Sequence, residues 1–269
     1  MNPKSYETLK LDVDERGVAR LTLARPQAHN ALNAQLIADL QDAVDRLAAG
    51  ADAGSPARAV VLTGEGESFC AGGDLRWMQA NMTNSRSERL AESASLATML
   101  RAMNELPMPV IGRINGPAYG GGVGMISVCD IAISVESAKF ALTEVSLGLL
   151  PANIAPYVVA RIGAANARRT MLTAHRMTAH DAKAFGLLSE VVGDDDLDAA
   201  VERELSDLLR CAPSAVTATK KLIAFVDRHD LPTSMVYTAD RLADAWDSAE
   251  GQEGVACFFE KRTPPWRKP

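Results

Sequence analysis

The sequence has no apolar run long enough to cross a membrane, and this absence excludes one class of protein. A spanning helix needs about 18 or more consecutive apolar residues, and no stretch of the 269-residue chain is that long. The first ten residues, MNPKSYETLK, lack the apolar core of a secretory signal. We therefore expect a protein of the cytoplasm with no membrane partner.

The chain also lacks an excess of positive charge. Its 28 Lys and Arg are outnumbered by 34 Asp and Glu, which gives a formal net charge of −6. Nucleic-acid binding needs clustered Lys and Arg to neutralise phosphates. A nucleic-acid partner is therefore disfavoured. The hydrophobic content of 47% instead predicts a sizeable buried core.

Common signatures of catalytic and metal sites are absent. The chain has no G-x-S-x-G turn, no G-x-x-x-x-G-K-[ST] phosphate loop and no H-E-x-x-H motif. Four widely separated cysteines in apolar surroundings predict reduced core thiols; they are Cys70, Cys129, Cys211 and Cys257. Neither a disulfide framework nor a metal site is predicted.

Strand and helix patterns alternate along the first part of the chain. Alternating segments around the turn DERG predict a hairpin, NAQLIADLQDAVDRLAAG predicts a helix capped by Asn33, and RAVVLTG and PVIGRI predict buried strands. This alternation is typical of an α/β fold. Helical patterns follow one another further on, so we divide the chain into an α/β core, residues 1–204, and a helical C-terminal part, residues 205–269.

The C-terminal helical patterns carry large apolar side chains. They are Met235, Val236, Leu242, Trp246, Val255, Phe258 and Phe259. Two interpretations stay open: these faces cover the α/β core, or they form an interface between subunits of a symmetric oligomer.

Two glycine-bearing turns follow two of the predicted strands. RAVVLTG is followed by GEGESFCAGGDL, and PVIGRI by NGPAYGGGVGMISVCD. A glycine turn before a helix points backbone N–H groups outward and lets a guest approach closely. The guest is an oxyanion or a phosphate, or the turn is merely tight. Two such turns at the ends of two parallel strands would present two N–H donors to one point, as in an oxyanion hole.

These motifs resemble those of the enoyl-CoA hydratase/isomerase (crotonase) superfamily. SFCAGGDLRWM is similar to its A-G-x-D loop and INGPAYGGGVGMISVCDIAI to its N-G-x-A-x-G-G-G signature. Further similar segments follow in family order over nearly the whole chain: RPQAHNALN, AKFALTEVSLGLLP, LTAHRMTAHDAKAFGLLSEVV and EGVACFFEKRTPPW. The resemblance implies a superhelix of ββα units with a helical C-terminal trimerisation part. It also implies a homotrimer or homohexamer, an acyl-CoA substrate and no metal or redox cofactor.

The resemblance assigns the chemistry to two backbone N–H groups and one carboxylate. The N–H groups of Ala71 and Gly121 would hold the thioester oxygen, and Glu144 would move a proton. Typical hydratases of the family carry a first glutamate where this chain has Gly124. Our interpretation is a hydratase that uses Glu144, helped by a polar neighbour such as Asn153. A Δ3,Δ2-enoyl-CoA isomerase with one proton shuttle is the alternative, and a homologue that only binds coenzyme A is a third.

The nearer resemblance concerns the substrate. GGDLRWM, GGGVG and LLPANIAPYVV are similar to segments of bacterial methylglutaconyl-CoA and γ-carboxygeranoyl-CoA hydratases. This implies a branched acyl group and a role in fatty acid metabolism or branched-chain amino acid catabolism, such as leucine degradation. With no side chain, Gly124 would leave room beside C3 for the branch.

The remaining site residues are assigned from the resemblance as well. Coenzyme A would lie across RPQAHNAL and the A-G-G-D loop, with Arg25 at a phosphate. Trp77 and Met78 would line the acyl pocket or belong to the core. The substrate-binding residues implied are Arg25, Ala28, Leu32, Gly72, Gly73, Asp74, Leu75, Trp77, Met78, Tyr119, Gly120, Gly124, Asn153, Phe258 and Lys261, of which the last two would come from a neighbouring subunit.

Overall fold

The structure is a computed structural model that describes residues 4–50 and 57–267. The chain forms two compact units, Met1–Leu106 with Val110–Val201 and Pro107–Pro109 with Glu202–Pro269. Residues 1–3, 51–56 and 268–269 within these ranges lie outside the described part. The boundary that we placed after residue 204 on sequence grounds stays a prediction.

The first unit contains two sheets. Their strands are β1 (Leu9–Val13), β2 (Val18–Leu23), β3 (Ala59–Gly64), β4 (Val110–Ile114), β5 (Ala118–Tyr119), β6 (Ile131–Val135), β7 (Lys139–Ala141), β8 (Met177–Thr178) and β9 (Glu190–Val192). The larger sheet has the order β1-β2-β3-β4-β6-β9, in which β1 is antiparallel to β2 and the other neighbours are parallel. The smaller sheet has the order β5-β7-β8.

Helices alternate with these strands and then continue without them. They are α1 (Ala34–Ala48), α2 (Leu75–Thr83), α3 (Arg86–Asn104), α4 (Gly121–Ser127), α5 (Ala155–Thr173), α6 (Ala179–Ala184), α7 (Leu197–Leu209), α8 (Pro213–Val226), α9 (Leu231–Asp247) and α10 (Ala249–Glu260). Short 3-10 turns cover Pro26–Ala28, Glu144–Leu147 and Asp194–Asp196. The α/β fold class expected from the sequence is confirmed.

The main predicted elements form for the expected reasons. The β1–β2 hairpin is present, and the Asn33 side chain caps α1 by accepting from the Leu36 N–H at 2.9 Å. Every residue of β3 is buried, as its continuous apolar run predicts. α4 begins at Gly121, before the apolar run VGMISVC, because Gly120 has φ +46° and lets the chain turn directly into the helix.

The second unit is helical. α9 contacts both α8 and α10, and the Ser214 N–H at the start of α8 donates to a Glu250 carboxylate oxygen at 2.9 Å. Many large apolar side chains of this unit are exposed, among them Leu231, Met235, Val236, Leu242, Trp246, Phe258 and Phe259. Cys211 is also exposed, so its assignment to the core is wrong, whereas the other three cysteines are buried.

None of the helices in the described ranges combines the length and the apolar character that crossing a membrane requires.

Candidate active site

The two glycine-bearing turns meet at one end of the larger sheet. β3 and β4 are parallel neighbours, so their C-terminal ends lie at the same edge. The Tyr119 N–H donates to the Cys70 carbonyl at 3.0 Å, next to a parallel bridge between Cys70 and Ala118. A Cβ atom on Gly72 would lie 2.9 Å from the Tyr119 carbonyl oxygen. Glycine therefore permits the close approach of the two turns.

Leu32 connects the two turns. Its N–H donates to the Gly72 carbonyl at 2.7 Å, and its carbonyl accepts from the Asp74 N–H at 2.8 Å. In this parallel bridge the N–H of the intervening residue, Gly73, points away from Leu32. On the other turn, Leu32 Cδ1 lies 2.5 Å from the position that a Gly121 Cβ would take. Leu32 thus lies beside Gly73 of one turn and Gly121 of the other.

The backbone N–H groups of these turns differ in their partners. The Ala71 N–H donates to the His29 carbonyl at 2.9 Å, so it is not available to a thioester oxygen and the predicted role of Ala71 is wrong. Among the described residues, the N–H groups of Gly73 and Gly121 have no acceptor. The Gly120 N–H is taken up by the Ala141 carbonyl at 2.9 Å. Gly73, whose N–H points away from Leu32, and Gly121, which follows the residue against the Glu144 carboxyl, are therefore our candidate donors of an oxyanion hole.

Glu144 places its carboxyl group against the start of α4. It begins the 3-10 turn Glu144–Leu147 and is half-buried. A Cβ on Gly120 would lie 2.8 Å from Glu144 Oε1, so only glycine leaves room for the carboxyl there. Gly121, with its unoccupied N–H, is the next residue. The carboxyl therefore lies against the glycine turn that carries one candidate donor.

The surroundings of the Glu144 carboxyl favour its protonated form. Burial raises the pKa of Glu144, and a hydrogen bond from its own backbone N–H opposes this only in part. Its Oε2 atom is buried and has no hydrogen-bond partner in the part of the chain that is described. A carboxyl with a raised pKa and an unused oxygen is suited to take up and return a proton near neutral pH.

The space beside Gly124 is already filled. A Cβ on Gly124 would lie 2.8 Å from Ile154 Cβ and closer still to Ile154 Cγ2. Ile154 itself is only 3% exposed. The room that we expected beside Gly124 for a branched acyl group is therefore absent, because the Ile154 side chain occupies it.

Arg25 and Asp74 form an internal ion pair. Arg25 Nη2 lies 2.8 Å from Asp74 Oδ2, with the two side chains 14% and 13% exposed, and Arg25 Nη1 donates to the Ala31 carbonyl. The Arg25 side chain holds the pKa of Asp74 below its usual range. Asp74 Oδ1 also caps α2 by accepting from the Arg76 N–H at 2.9 Å. Arg25 thus has a structural role here, and its contact with a phosphate stays a prediction.

Helix α2 borders the Gly73 donor. Met78 Sδ lies 3.1 Å, and Trp77 Cζ3 4.0 Å, from the position of a Gly73 Cβ, whereas Leu75 is exposed. The Trp77 indole also lines a pocket of about 560 Å³ against Ile37 of α1 and other residues of α1 and α3. Met78 and Trp77 therefore border the Gly73 backbone, and their contact with an acyl group stays a prediction.

The other predicted residues are spread over both units. Ala28 lies in the turn Pro26–Ala28, and Asn153 accepts from the Ser93 hydroxyl through its Oδ1 at 2.8 Å. Phe258 and Lys261 belong to the C-terminal unit, where they line a pocket with Trp266. Their role with a neighbouring subunit stays a prediction.

Two asparagines that we did not single out hold the segment that leads into the A-G-G-D loop. Buried Asn30 donates through Nδ2 to the carbonyls of Glu65 and Ser68 at 2.9 and 2.8 Å. Asn115 accepts from the Gly64 N–H at 3.0 Å. An asparagine directly after a buried strand, as in PVIGRIN, is a signal that would have found Asn115.

No group of three or more His, Cys, Asp or Glu within residues 4–50 and 57–267 is arranged to hold a metal ion.

Comparisons with known proteins show the family of this chain. The model of the Enoyl-CoA hydratase/isomerase family matches residues 14–269. Enoyl-CoA hydratase ACTT6 of Alternaria alternata is 34% identical, over 94% of this chain and 80% of that protein. An enoyl-CoA hydratase from Shewanella pealeana has a crystal structure that matches with a TM-score of 0.91 and 34% identity, over 97% of this chain and 96% of that one. Pseudomonas aeruginosa AtuE matches with a TM-score of 0.91 and 38% identity, over 97% and 100%.

The fold and the relatives together define an enzyme, whose candidate site combines two backbone N–H groups with a carboxyl group of raised pKa. The chain belongs to the enoyl-CoA hydratase/isomerase (crotonase) family.

Proposed function

We propose that this chain is an enoyl-CoA hydratase, a hydro-lyase that adds water across the 2,3 double bond of an α,β-unsaturated acyl-CoA. The observation that carries the proposal is the position of the Glu144 carboxyl beside Gly120, next to the unoccupied N–H of Gly121. The relatives from Alternaria and Shewanella are both named enoyl-CoA hydratases, which supports the same reaction.

The reaction needs one base and one oxyanion site. Ionised Glu144 takes a proton from water while the water oxygen bonds to C3. The π electrons of the double bond move towards the thioester, and its carbonyl oxygen gains negative charge between the N–H groups of Gly73 and Gly121. Glu144 then returns its proton to C2, which completes the addition of water and regenerates the carboxylate. One donor of this kind is typically worth about 3–4 kcal/mol of barrier.

The use of a single glutamate is a finer part of the proposal. Position 124 has no side chain, so a second polar group must come from elsewhere. Asn153 is our candidate: Ser93 occupies its Oδ1, and this leaves its amide N–H groups to orient a water molecule. Water held in this way would donate to Glu144 and present a lone pair to C3.

A branched, methylglutaconyl-CoA-like substrate is the second finer part. It is supported by the resemblance of GGDLRWM, GGGVG and LLPANIAPYVV, but not by free space at Gly124, which Ile154 fills. We keep it as the first branched substrate to test.

Substrate binding and assembly complete the proposal. Coenzyme A would lie across RPQAHNAL and the A-G-G-D loop, with Phe258 and Lys261 supplied by a neighbouring subunit. The exposed apolar side chains of the C-terminal unit support a homotrimer or homohexamer. We further propose a cytoplasmic enzyme that needs no metal or redox cofactor.

The test is a paired assay of the purified protein and Glu144→Gln. Hydration is measured with crotonyl-CoA and 3-methylglutaconyl-CoA, and double-bond migration with 3-hexenoyl-CoA. We expect hydration by the wild type and a loss of roughly 10²–10⁴-fold in Glu144→Gln. Glu136→Gln is the matched control, because Glu136 is exposed and its carboxylate contacts His180. Migration without hydration would replace the proposal with an isomerase, and inactivity in all three assays would reject it.

A further inference from the structure

Positions 124 and 154 share a space that holds only one side chain. The Ile154 side chain fills the place where a side chain on Gly124 would begin, and it is almost fully buried. A side chain at position 124 therefore requires Ile154 to move or to be smaller. This relation joins two residues that are far apart in the sequence.

Helix α4 and its N-cap residue carry both the contact with Glu144 and the contact with Ile154. The Gly124 N–H donates to the Gly120 carbonyl at 3.1 Å, so the two glycines lie one helical turn apart. The Glu144 carboxyl lies against Gly120 and the Ile154 side chain against Gly124. An apolar group thus stands along α4 one turn from the carboxyl.

Ile154 is held in this place from two sides. It precedes α5, and its carbonyl accepts from the Val158 N–H at 3.0 Å. The preceding residue, Asn153, is bonded to Ser93 of α3 at 2.8 Å. Two helices therefore fix the segment that carries the Ile154 side chain.

We infer that Ile154 is a positioning residue of the active site: its side chain takes the place of a side chain at position 124 and keeps water from the inner side of the Glu144 carboxyl. The inference rests on the proposed function, because Glu144 is the group that Ile154 positions. It explains why the Glu144 carboxyl is poorly solvated although the 3-10 turn that carries it is largely accessible.

No charged neighbour accounts for the raised pKa of Glu144. Burial is the largest cause of its raised pKa, and no charged residue is among the causes. The elements nearest to it bring the titratable groups Tyr119 of β5 and Tyr157 and Arg161 of α5. Arg161 Nη1 donates to the Cys129 carbonyl at 2.6 Å. A change in the Glu144 pKa after substitution at position 154 would therefore report on solvation.

The first test compares Ile154→Ala with Ile154→Val. In the wild type, kcat/KM for crotonyl-CoA should fall as the pH drops through the raised pKa of Glu144. We expect Ile154→Ala to admit water, to move this acid limb to lower pH by on the order of one unit, and to lower kcat more than it raises KM. Ile154→Val keeps the branched Cβ and should retain the wild-type pH profile. A melting temperature for each variant confirms that it is folded.

The second test measures coupling between the two positions. Gly124→Ala should lower both kcat and the melting temperature, and adding Ile154→Ala should recover part of the melting temperature. The inference is overturned if Gly124→Ala behaves as wild type, or if folded Ile154→Ala keeps the wild-type acid limb. Should the wild type hydrate no enoyl-CoA, the proposed function fails, while the melting temperatures and an NMR titration of the Glu144 carboxyl still decide the inference.

Discussion

At the scale of single residues, the raised pKa of Glu144 has a consequence for folding. A folded-state pKa above the unfolded value of about 4.3 means that the folded state binds the proton more tightly. The stabilisation that this provides is fully present below the unfolded pKa and is lost as the pH rises through the folded pKa. Ionised Glu144 therefore opposes folding at neutral pH.

Glu144→Gln should consequently be more stable than the wild type where Glu144 is ionised. We expect the variant to melt at a higher temperature at pH 8, with a smaller difference at pH 5, as measured by calorimetry. Glu7→Gln, which changes an exposed carboxylate, should show no such dependence. An equal difference at both pH values would contradict the assignment of the raised pKa.

Gly120 should be irreplaceable for two separable reasons. Its φ of +46° is unfavourable for other residues, and a Cβ would lie 2.8 Å from Glu144 Oε1. Gly163 also has a positive φ, +72°, but a Cβ there would meet no atom within 4 Å. We expect both alanine variants to lose on the order of 1–3 kcal/mol of stability from backbone strain. Only Gly120→Ala should also lose hydratase activity, because it displaces the carboxyl. Equal activities of the two variants in a crotonyl-CoA assay would contradict this.

Single residues also show what the motifs alone cannot predict, namely which backbone N–H group of a turn is free. The motifs led to Gly121 and Glu144, but they assigned the other donor to Ala71 rather than Gly73. The deciding fact is the hydrogen bond from Ala71 to the His29 carbonyl, which comes from a segment distant in sequence. A motif identifies a turn, whereas the free N–H within it depends on what the rest of the fold brings nearby.

At the scale of elements, the Arg25–Asp74 pair joins the segment before α1 to the start of α2. Asp74 both caps the helix and neutralises a half-buried guanidinium. Asp74→Ala should lose about 0.5–2 kcal/mol through the cap, and more because the Arg25 charge is left without its partner. Asp74→Asn keeps an oxygen for the cap and should lose less. Urea unfolding at pH 7 measures both.

The control for this pair lies on the surface. Lys10 and Glu65 pair at 3.0 Å with side chains 59% and 41% exposed. Glu65→Ala should change stability by less than about 1 kcal/mol, because exposed ion pairs contribute little. If Asp74→Ala and Glu65→Ala unfold at the same urea concentration, the Arg25–Asp74 pair does not have the structural role given to it here.

Elements with a local signal were predictable, and those without one were not. The hairpin, α1, β3 and β4 follow from apolar periodicity and end signals within each segment. β5 and β8 have two residues each and exist through pairing with β7. Their formation depends on partners that the local sequence does not reveal.

At the scale of the whole molecule, the parallel pairing of β3 with β4 was predictable because both strands read as buried and both end in glycine turns. The contact between Ile154 and Gly124 was not. The segment PANIAP shows an apolar residue among polar and small ones, but only the fold shows that this residue fills the space at position 124. Our expectation that Gly124 leaves room for a branched acyl group was wrong for that reason.

The exposed apolar side chains of α9 predict association of the protein in solution. Leu231, Met235, Leu242 and Trp246 recur at helical spacing, and Leu242 is 60% exposed. Leu242→Glu places a charge on this face and should shift the protein towards smaller species in light scattering coupled to gel filtration. Thr233→Glu adds the same charge on the opposite side of the same helix, near its N-terminus, where a negative charge is favourable. It should therefore keep the wild-type mass. A monomeric wild type, or equal masses for all three proteins, would mean that this face of α9 does not join subunits.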